Sequence, residues 1–223
     1  MKKDNILVFV RYYLPGYKAG GPVVSISEFI KKLNKYANFY VITSDRDFLD
    51  NNSYKNIKVN KWNSKFNVLI NYVSNNYFDY IKVLLITLKK KKYNTYYFSS
   101  LFDFKFTILP ILFSKILFIR NKRIIIAPRG ELYPGALKLK RNKKLFFLRF
   151  VKIINLFSNV VWHATSEDEK KVIRNIFPKS TILISLNFYE TLNTKIKLSK
   201  SNHIDDKIRI IYYSRITPKK NLK

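Results

Sequence analysis

The sequence predicts an α/β fold, a Rossmann-like parallel sheet with helices on both faces. Short apolar runs alternate with longer amphipathic stretches, the signature of strand–helix repeats. The stretch 24–36 shows the helical period, with Ile26, Phe29, Ile30 and Leu33 on one face. A hydrophobic share of 47% and an aromatic share of 16% over 223 residues suit one well-buried domain and exclude a disordered chain.

Taken in order, the first strand falls at 6–10. Only five apolar residues precede Arg11, too few for a signal peptide, so the basic start reads as the entry to a strand. A turn with Gly16, Gly20, Gly21 and Pro22 follows, and the helix 24–36 begins directly after it. Gly20 and Gly21 allow close backbone approach, and Pro22 at a helix start leaves amides pointing outward, where the dipole favours an anion. The pattern is neither a P-loop nor the dinucleotide fingerprint, and an ordinary glycine turn is the other reading. The next strand, 39–43, leads to Asp45-Arg46-Asp47. Two Asp after a strand read as turn and cap residues, and no metal site is expected there.

Further strands are expected at 57–61, 95–98, 124–127, 160–164 and 182–184, with helices over 79–90, 104–118, 137–154 and 166–176. The apolar stretch 108–119 contains Pro110 and Lys115 and falls short of a membrane span. After the strand at 124–127 come Pro128, Arg129, Gly130 and Glu131, at the mouth of the expected sheet. Arg129 there suits a phosphate or carboxylate, and Glu131 suits hydrogen bonds from hydroxyls; alternatively the pair organises the turn. Ser166 and Glu169 have capping-box spacing, and His163 alone reads as a half-buried, satisfied imidazole. The polar stretch 191–207 reads as a linker between a domain at 1–190 and the first strand and turn of another at 208–223. In that last segment Arg215 and Lys220 have the spacing to hold a diphosphate, a bidentate fork followed by a point charge.

The formal net charge is +29, from 43 basic and 14 acidic residues, which favours anionic partners, although a Lys- and Asn-rich composition also reflects codon bias. Lys138, Lys140, Arg141, Lys143, Lys144, Arg149 and Lys152 interleave with aromatic and aliphatic residues. Such a helix lies on an anionic membrane surface or packs on the core with a solvated basic face. The chain has no cysteine, which excludes disulfides, thiolate metal sites and Cys nucleophiles, and its two histidines are too few for a His-rich metal centre. No nucleic-acid motif appears, so nucleic acid is not an expected partner. A cytoplasmic location is expected, extending to a peripheral seat on the inner face of the cytoplasmic membrane.

Five segments together resemble the amino-terminal half of a family 4 glycosyltransferase of the two-Rossmann-domain (GT-B) type. They are Tyr13-Leu-Pro-Gly-Tyr-Lys-Ala-Gly-Gly-Pro-Val-Val-Ser, Thr43-Ser-Asp-Arg-Asp, Ala127-Pro-Arg-Gly-Glu-Leu, His163-Ala-Thr-Ser-Glu and Ser214-Arg-Ile-Thr-Pro-Lys-Lys-Asn-Leu. The resemblance implies retaining transfer of a sugar from a nucleotide diphosphate-sugar to a glycan or lipid-linked acceptor in surface-polysaccharide synthesis, with no metal or other cofactor. It implies that Gly20, Gly21, Arg215 and Lys220 meet the donor diphosphate. It also places Arg129 and Glu131 near the acceptor, where the family often has His. The family's E-x7-E pair has no counterpart in this chain. The expectation is therefore a transferase represented by its acceptor domain and a stub. The alternatives are a noncatalytic remnant, one half of a split enzyme whose other half is a separate chain, or a basic membrane-surface protein.

Overall fold

The first strand, β1 (Asp4–Phe9), lies inside an eight-stranded sheet and alternates cleanly, Leu7 and Phe9 to one face, Val8 and Val10 to the other. Such two-sided burial is what a central parallel strand requires. The computed structural model describes residues 3–90, 92–117 and 122–188. The chain divides at Tyr189–Glu190 into two units, and every described residue lies in the first. The expected linker at 191–207 and the strand and turn at 208–223, with Arg215 and Lys220, fall outside the described residues.

After β1 come α1 (Gly21–Leu33), β2 (Ala37–Ser44), β3 (Trp62–Lys65), β4 (Val68–Val73), α2 (Tyr77–Lys89) and β5 (Thr95–Phe98). A π-helical turn (Phe104–Ile108) runs into α3 (Leu109–Ile116), followed by β6 (Arg123–Ile126), α4 (Pro134–Lys138) and α5 (Arg141–Ile153). The described residues close with β7 (Val160–Ala164), α6 (Glu167–Ile176) and β8 (Thr181–Ile184). The sheet order is β3-β4-β2-β1-β5-β6-β7-β8, parallel throughout except for the antiparallel β3–β4 hairpin at one edge. The fold is Rossmann-like α/β.

Ile26 and Ile30 of α1 bury against Val8, Val41, Ile70 and Tyr72 on one face. The other face carries the larger core, in which Phe9, Tyr96, Phe98, Ile126 and Trp162 meet Leu84 of α2, Ile111 of α3, Val151 of α5 and Ile173 of α6. Trp162 has no exposed surface and stacks on Phe177 at a ring separation of 4.6 Å.

The expected strand at 57–61 is corrected. Asn56 and Asn60 sit in the left-handed region, at φ 59° each, and the Asn63 side chain bonds Lys58 N and the carbonyls of Lys58 and Lys61. Those bonds give the segment's backbone a local partner in place of a ladder. The strands are instead β3 and β4, joined by the two-residue turn Phe66–Asn67 with φ 51° and 57°. That is the backbone of a type I′ hairpin, usually announced by Asn-Gly.

The expected single helix over 137–154 is likewise corrected. Lys140 adopts φ 56° and ψ 41°, which separates α4 from α5. The helix expected at 104–118 opens as the π-helical turn, where the Asp103 side chain accepts Phe106 N and its carbonyl accepts both Thr107 N and Ile108 N.

Candidate functional site

From β1 the chain moves to β2 on one side, while β5 pairs with β1 on the other. The direction of winding therefore reverses between β1 and β5, and the crevice beyond their carboxyl ends is where an open sheet of this kind takes a ligand. Ion pairing straddles this crevice: Arg11 Nε donates to Asp103 Oδ2 at 2.7 Å, joining the loop after β1 to the loop after β5.

On the α1 side, the glycine loop ends at Gly20, whose φ 70° and ψ −134° only glycine adopts readily. No side chain caps α1, its first turn holds no acid, and Pro22 stands at its start. Gly21 is exposed and a Cβ on it would meet nothing within 4 Å, so the space beside this helix start is open. The loop owes its shape to Asp47, whose Oδ2 accepts Tyr17 N at 2.8 Å and Lys18 N at 3.0 Å. Burial alone would raise the Asp47 pKa, but the amides of Lys18, Tyr17 and Phe48 outweigh it and hold the carboxyl below its ordinary range. Gly16 leaves room for this clamp, since a Cβ there would stand 2.9 Å from the Asp47 carboxyl carbon. Asp45 is occupied by Arg46 Nε at 2.9 Å and Ser53 Oγ at 2.6 Å. Both carboxylates of the Asp-Arg-Asp segment thus serve internal bonds.

On the far side of β5, Arg129 has φ 51° and the following Gly130 φ 76°. A non-glycine residue there costs strain of order 1 kcal/mol or more, which surrounding contacts must hold. Arg129 donates through Nη1 to Asn187 Oδ1 at 2.9 Å and more weakly through Nη2 to the Tyr97 hydroxyl at 3.4 Å. Its buried Nε has no partner, and no carboxylate among the described residues pairs with it. Arg129 therefore presents a guanidinium with no ion-pair partner among the described residues, although the Glu169 carboxylate, bonded to Gly130 N, acts on the same Tyr97 and His163.

Proton directions in this network follow from chemistry. The Ser185 carbonyl can only accept, so His163 Nε2, 2.9 Å away, carries the proton. His163 Nδ1 then accepts from the Tyr97 hydroxyl at 2.8 Å. Tyr97 oxygen in turn takes the Arg129 bond, which gives the order Arg129, Tyr97, His163, Ser185. Burial depresses the His163 pKa, with Arg129 adding to the effect, and burial raises that of Tyr97.

Glu131 lies apart from Arg129. Its Oε1 accepts Ser100 Oγ at 2.7 Å, and its Oε2 accepts Leu101 N at 2.6 Å and Phe102 N at 3.2 Å. Burial raises its pKa despite those bonds. Its carboxylate organises the loop after β5 instead of pairing with Arg129 or opening to a ligand's hydroxyls.

Glu169 does more than the capping-box spacing foretells. Ser166 Oγ accepts Glu169 N at 3.1 Å, but the carboxylate reaches past Ser166 to Thr165 N at 2.8 Å, Thr165 Oγ1 at 2.7 Å and Gly130 N at 2.6 Å. It thereby ties α6 to the left-handed turn that carries Arg129. Tyr97, Glu169 and Asn187 were not singled out as site residues; Tyr97, next to the last residue of β5, had strand position as its one sequence signal.

A buried lysine was also missed. Lys105 Nζ donates to the Ser74 carbonyl at 2.7 Å, with the rings of Tyr77, Tyr80 and Phe106 around it. Burial brings its pKa down to about 8.

Of the expected surface cations, Lys138, Lys140, Arg141, Lys143 and Arg149 are exposed. Lys144 is half-buried: its Nζ donates to the Ala136 carbonyl at 2.6 Å and lies over the Phe102 ring. A cavity of about 510 Å³ opens at the opposite end of the sheet, between Phe157, Phe177 and the start of β8, far from the crevice residues. Among the described residues no helix is long and apolar enough to cross a membrane.

No protein-family model matches the chain, and no curated protein does.

Proposed function

We propose that this chain is the acceptor-side half of a GT-B glycosyltransferase, moving a sugar from a nucleotide diphosphate-sugar to a glycan or lipid-linked acceptor of surface-polysaccharide synthesis. The observation that carries the reading is the pair of anion-seeking features on either side of β5. One is the uncapped, acid-free amino end of α1 beneath open space at Gly21. The other is Arg129, strained and without a carboxylate partner among the described residues.

In this reading the α1 amides at Gly21 face the donor diphosphate, and the helix dipole favours the charge that grows as the glycosidic C–O bond breaks. Arg215 and Lys220, outside the described residues, add the fork and the point charge of a second-half clamp. Arg129 grips an anionic group on the acceptor side, while Glu131 and Glu169 position the loops and touch no reactant. The enzyme works in the cytoplasm, at the inner face of the membrane where lipid-linked acceptors are presented.

The test is a titration of the ¹⁵N-labelled chain with pyrophosphate and with UDP. The expected result is a saturable shift of the Gly21 amide with UDP and, with pyrophosphate, which fits either anion seat, a shift of the Arg129 Nε–H as well, while the Gly21 response to UDP persists in R129Q. Shifts confined to surface lysines, with Gly21 and Arg129 unmoved, refute the site.

A further inference from the structure

α5 binds the core by a narrow stripe and turns a second apolar stripe to solvent. Phe147, Leu148 and Val151 pack inward. Phe146, Phe150 and Ile153, spaced i, i+4 and i+7, form one outward ridge, exposed by 73%, 49% and 82%. A helix serving only its own core would place polar groups there. Helical spacing sets Lys143 to one side of the ridge and Arg149 to the other, both exposed. Neither α4 nor α5 contains an acidic residue.

We infer that this ridge inserts into an anionic lipid bilayer, with the flanking cations at the level of the headgroups. The arrangement selects this occupant by charge. A second copy of the chain would bring the same cations against these ones, in a molecule of net charge +29. Nucleic acid would satisfy Lys143 and Arg149 but leave Phe146 and Ile153 in water. An anionic bilayer meets both, taking the side chains into its acyl boundary while its phosphates neutralise the cations. The apolar ridge, rather than the basic stripe read from sequence, is then the primary contact. The inference needs no nucleotide-sugar, so it and the transferase reading can fail independently.

Because the chain has no cysteine, Ile153→Cys introduces a unique site for a polarity-sensitive dye, with Lys171→Cys on α6 as the control. The probe is a vesicle of phosphatidylcholine enriched in phosphatidylglycerol, compared with phosphatidylcholine alone. On anionic vesicles the dye at position 153 should shift to the blue and be quenched by brominated lipid, while the dye at 171 stays unchanged. F146S/I153S, both on the solvent side, should reduce vesicle partitioning of the unlabelled chain by about tenfold or more. Four outcomes overturn the proposal: no vesicle binding, equal binding to neutral vesicles, adsorption with both dyes left in water, or a ridge-dependent dimer in light scattering.

Discussion

Replacing Glu169 by Ala should destabilise the domain far more than an ordinary helix-cap mutation. The carboxylate accepts three hydrogen bonds, from Gly130 N, Thr165 N and Thr165 Oγ1, at 2.6 to 2.8 Å. Hydrogen bonds to a charged group contribute roughly 1.5–3 kcal/mol each, but relief of the carboxylate's own burial and entry of water offset much of the sum. A net loss of about 2–4 kcal/mol is expected. With a urea slope of about 2 kcal/mol per molar, the midpoint falls by about 1–2 M at unchanged slope. E169Q should lose less, because one oxygen still accepts while the new amide group faces a donor. The Gly130 amide resonance should move upfield in both variants as its bond to the carboxylate disappears. A midpoint drop under about 0.3 M for E169A would refute the argument that this side chain holds the Arg129 turn.

Other consequences are as direct. Lys105 has its pKa lowered from 10.5 to about 8, so between those values the unfolded chain holds the proton and the native one does not. Wild-type stability should therefore rise with pH from about 8 upward relative to K105M, by up to about 3 kcal/mol across the window, read from paired denaturation curves. His163 also titrates below its ordinary value, so the unfolded chain protonates first as pH falls below 6.5, and that stability difference should vanish in H163F. Long-range ¹⁵N spectra should show His163 in its Nε2–H form, and a Nδ1–H form would break the order of proton donation derived above. Gly16→Ala should cost about 1–3 kcal/mol, because the added methyl collides with the Tyr54 hydroxyl and the Asp47 carboxyl. Gly21→Ala should leave thermal stability within about 0.5 kcal/mol of wild type while weakening pyrophosphate binding.

Legibility in the sequence followed the range of the interaction. Strands buried on both faces announced themselves as apolar runs: those expected at 95–98 and 160–164 coincide with β5 and β7. The hairpin β3–β4 did not, because its turn residues are Phe66 and Asn67 and its first strand reads Trp-Asn-Ser-Lys, with one large apolar residue. Neighbouring Ile57 and Val59 offered a better pattern, but Asn63 spends its side chain holding that segment in a loop. The break at Lys140 was equally silent, since no Gly or Pro marks it and local periodicity continues across it.

The site divides along the same line. Gly20, Gly21 and Arg129 stand out in the sequence because each lies on the connection from a strand to the helix after it, where a parallel sheet exposes its loops. What fixes them in place could not. Asp47 shapes the glycine loop from 26 or more residues away, Glu169 holds Gly130 from 39 residues away, and Tyr97 meets Arg129 from 32. Every one of these supports is a polar side chain near the carboxyl end of a different strand, so only the strand order brings them together. Glu131, the one acid the sequence offered as a chemical group, turns inward to hold a loop, as do Asp45, Asp47 and Glu169, which read from sequence as turn and cap residues. The cation at Arg129 is left outside that arrangement. With the crevice carboxylates engaged in loop bonds and Arg129 without an ion-pair partner among the described residues, the proposed site is one for negative charge, which is why the anion titration, rather than a search for a catalytic carboxylate, is the experiment that tests the proposal.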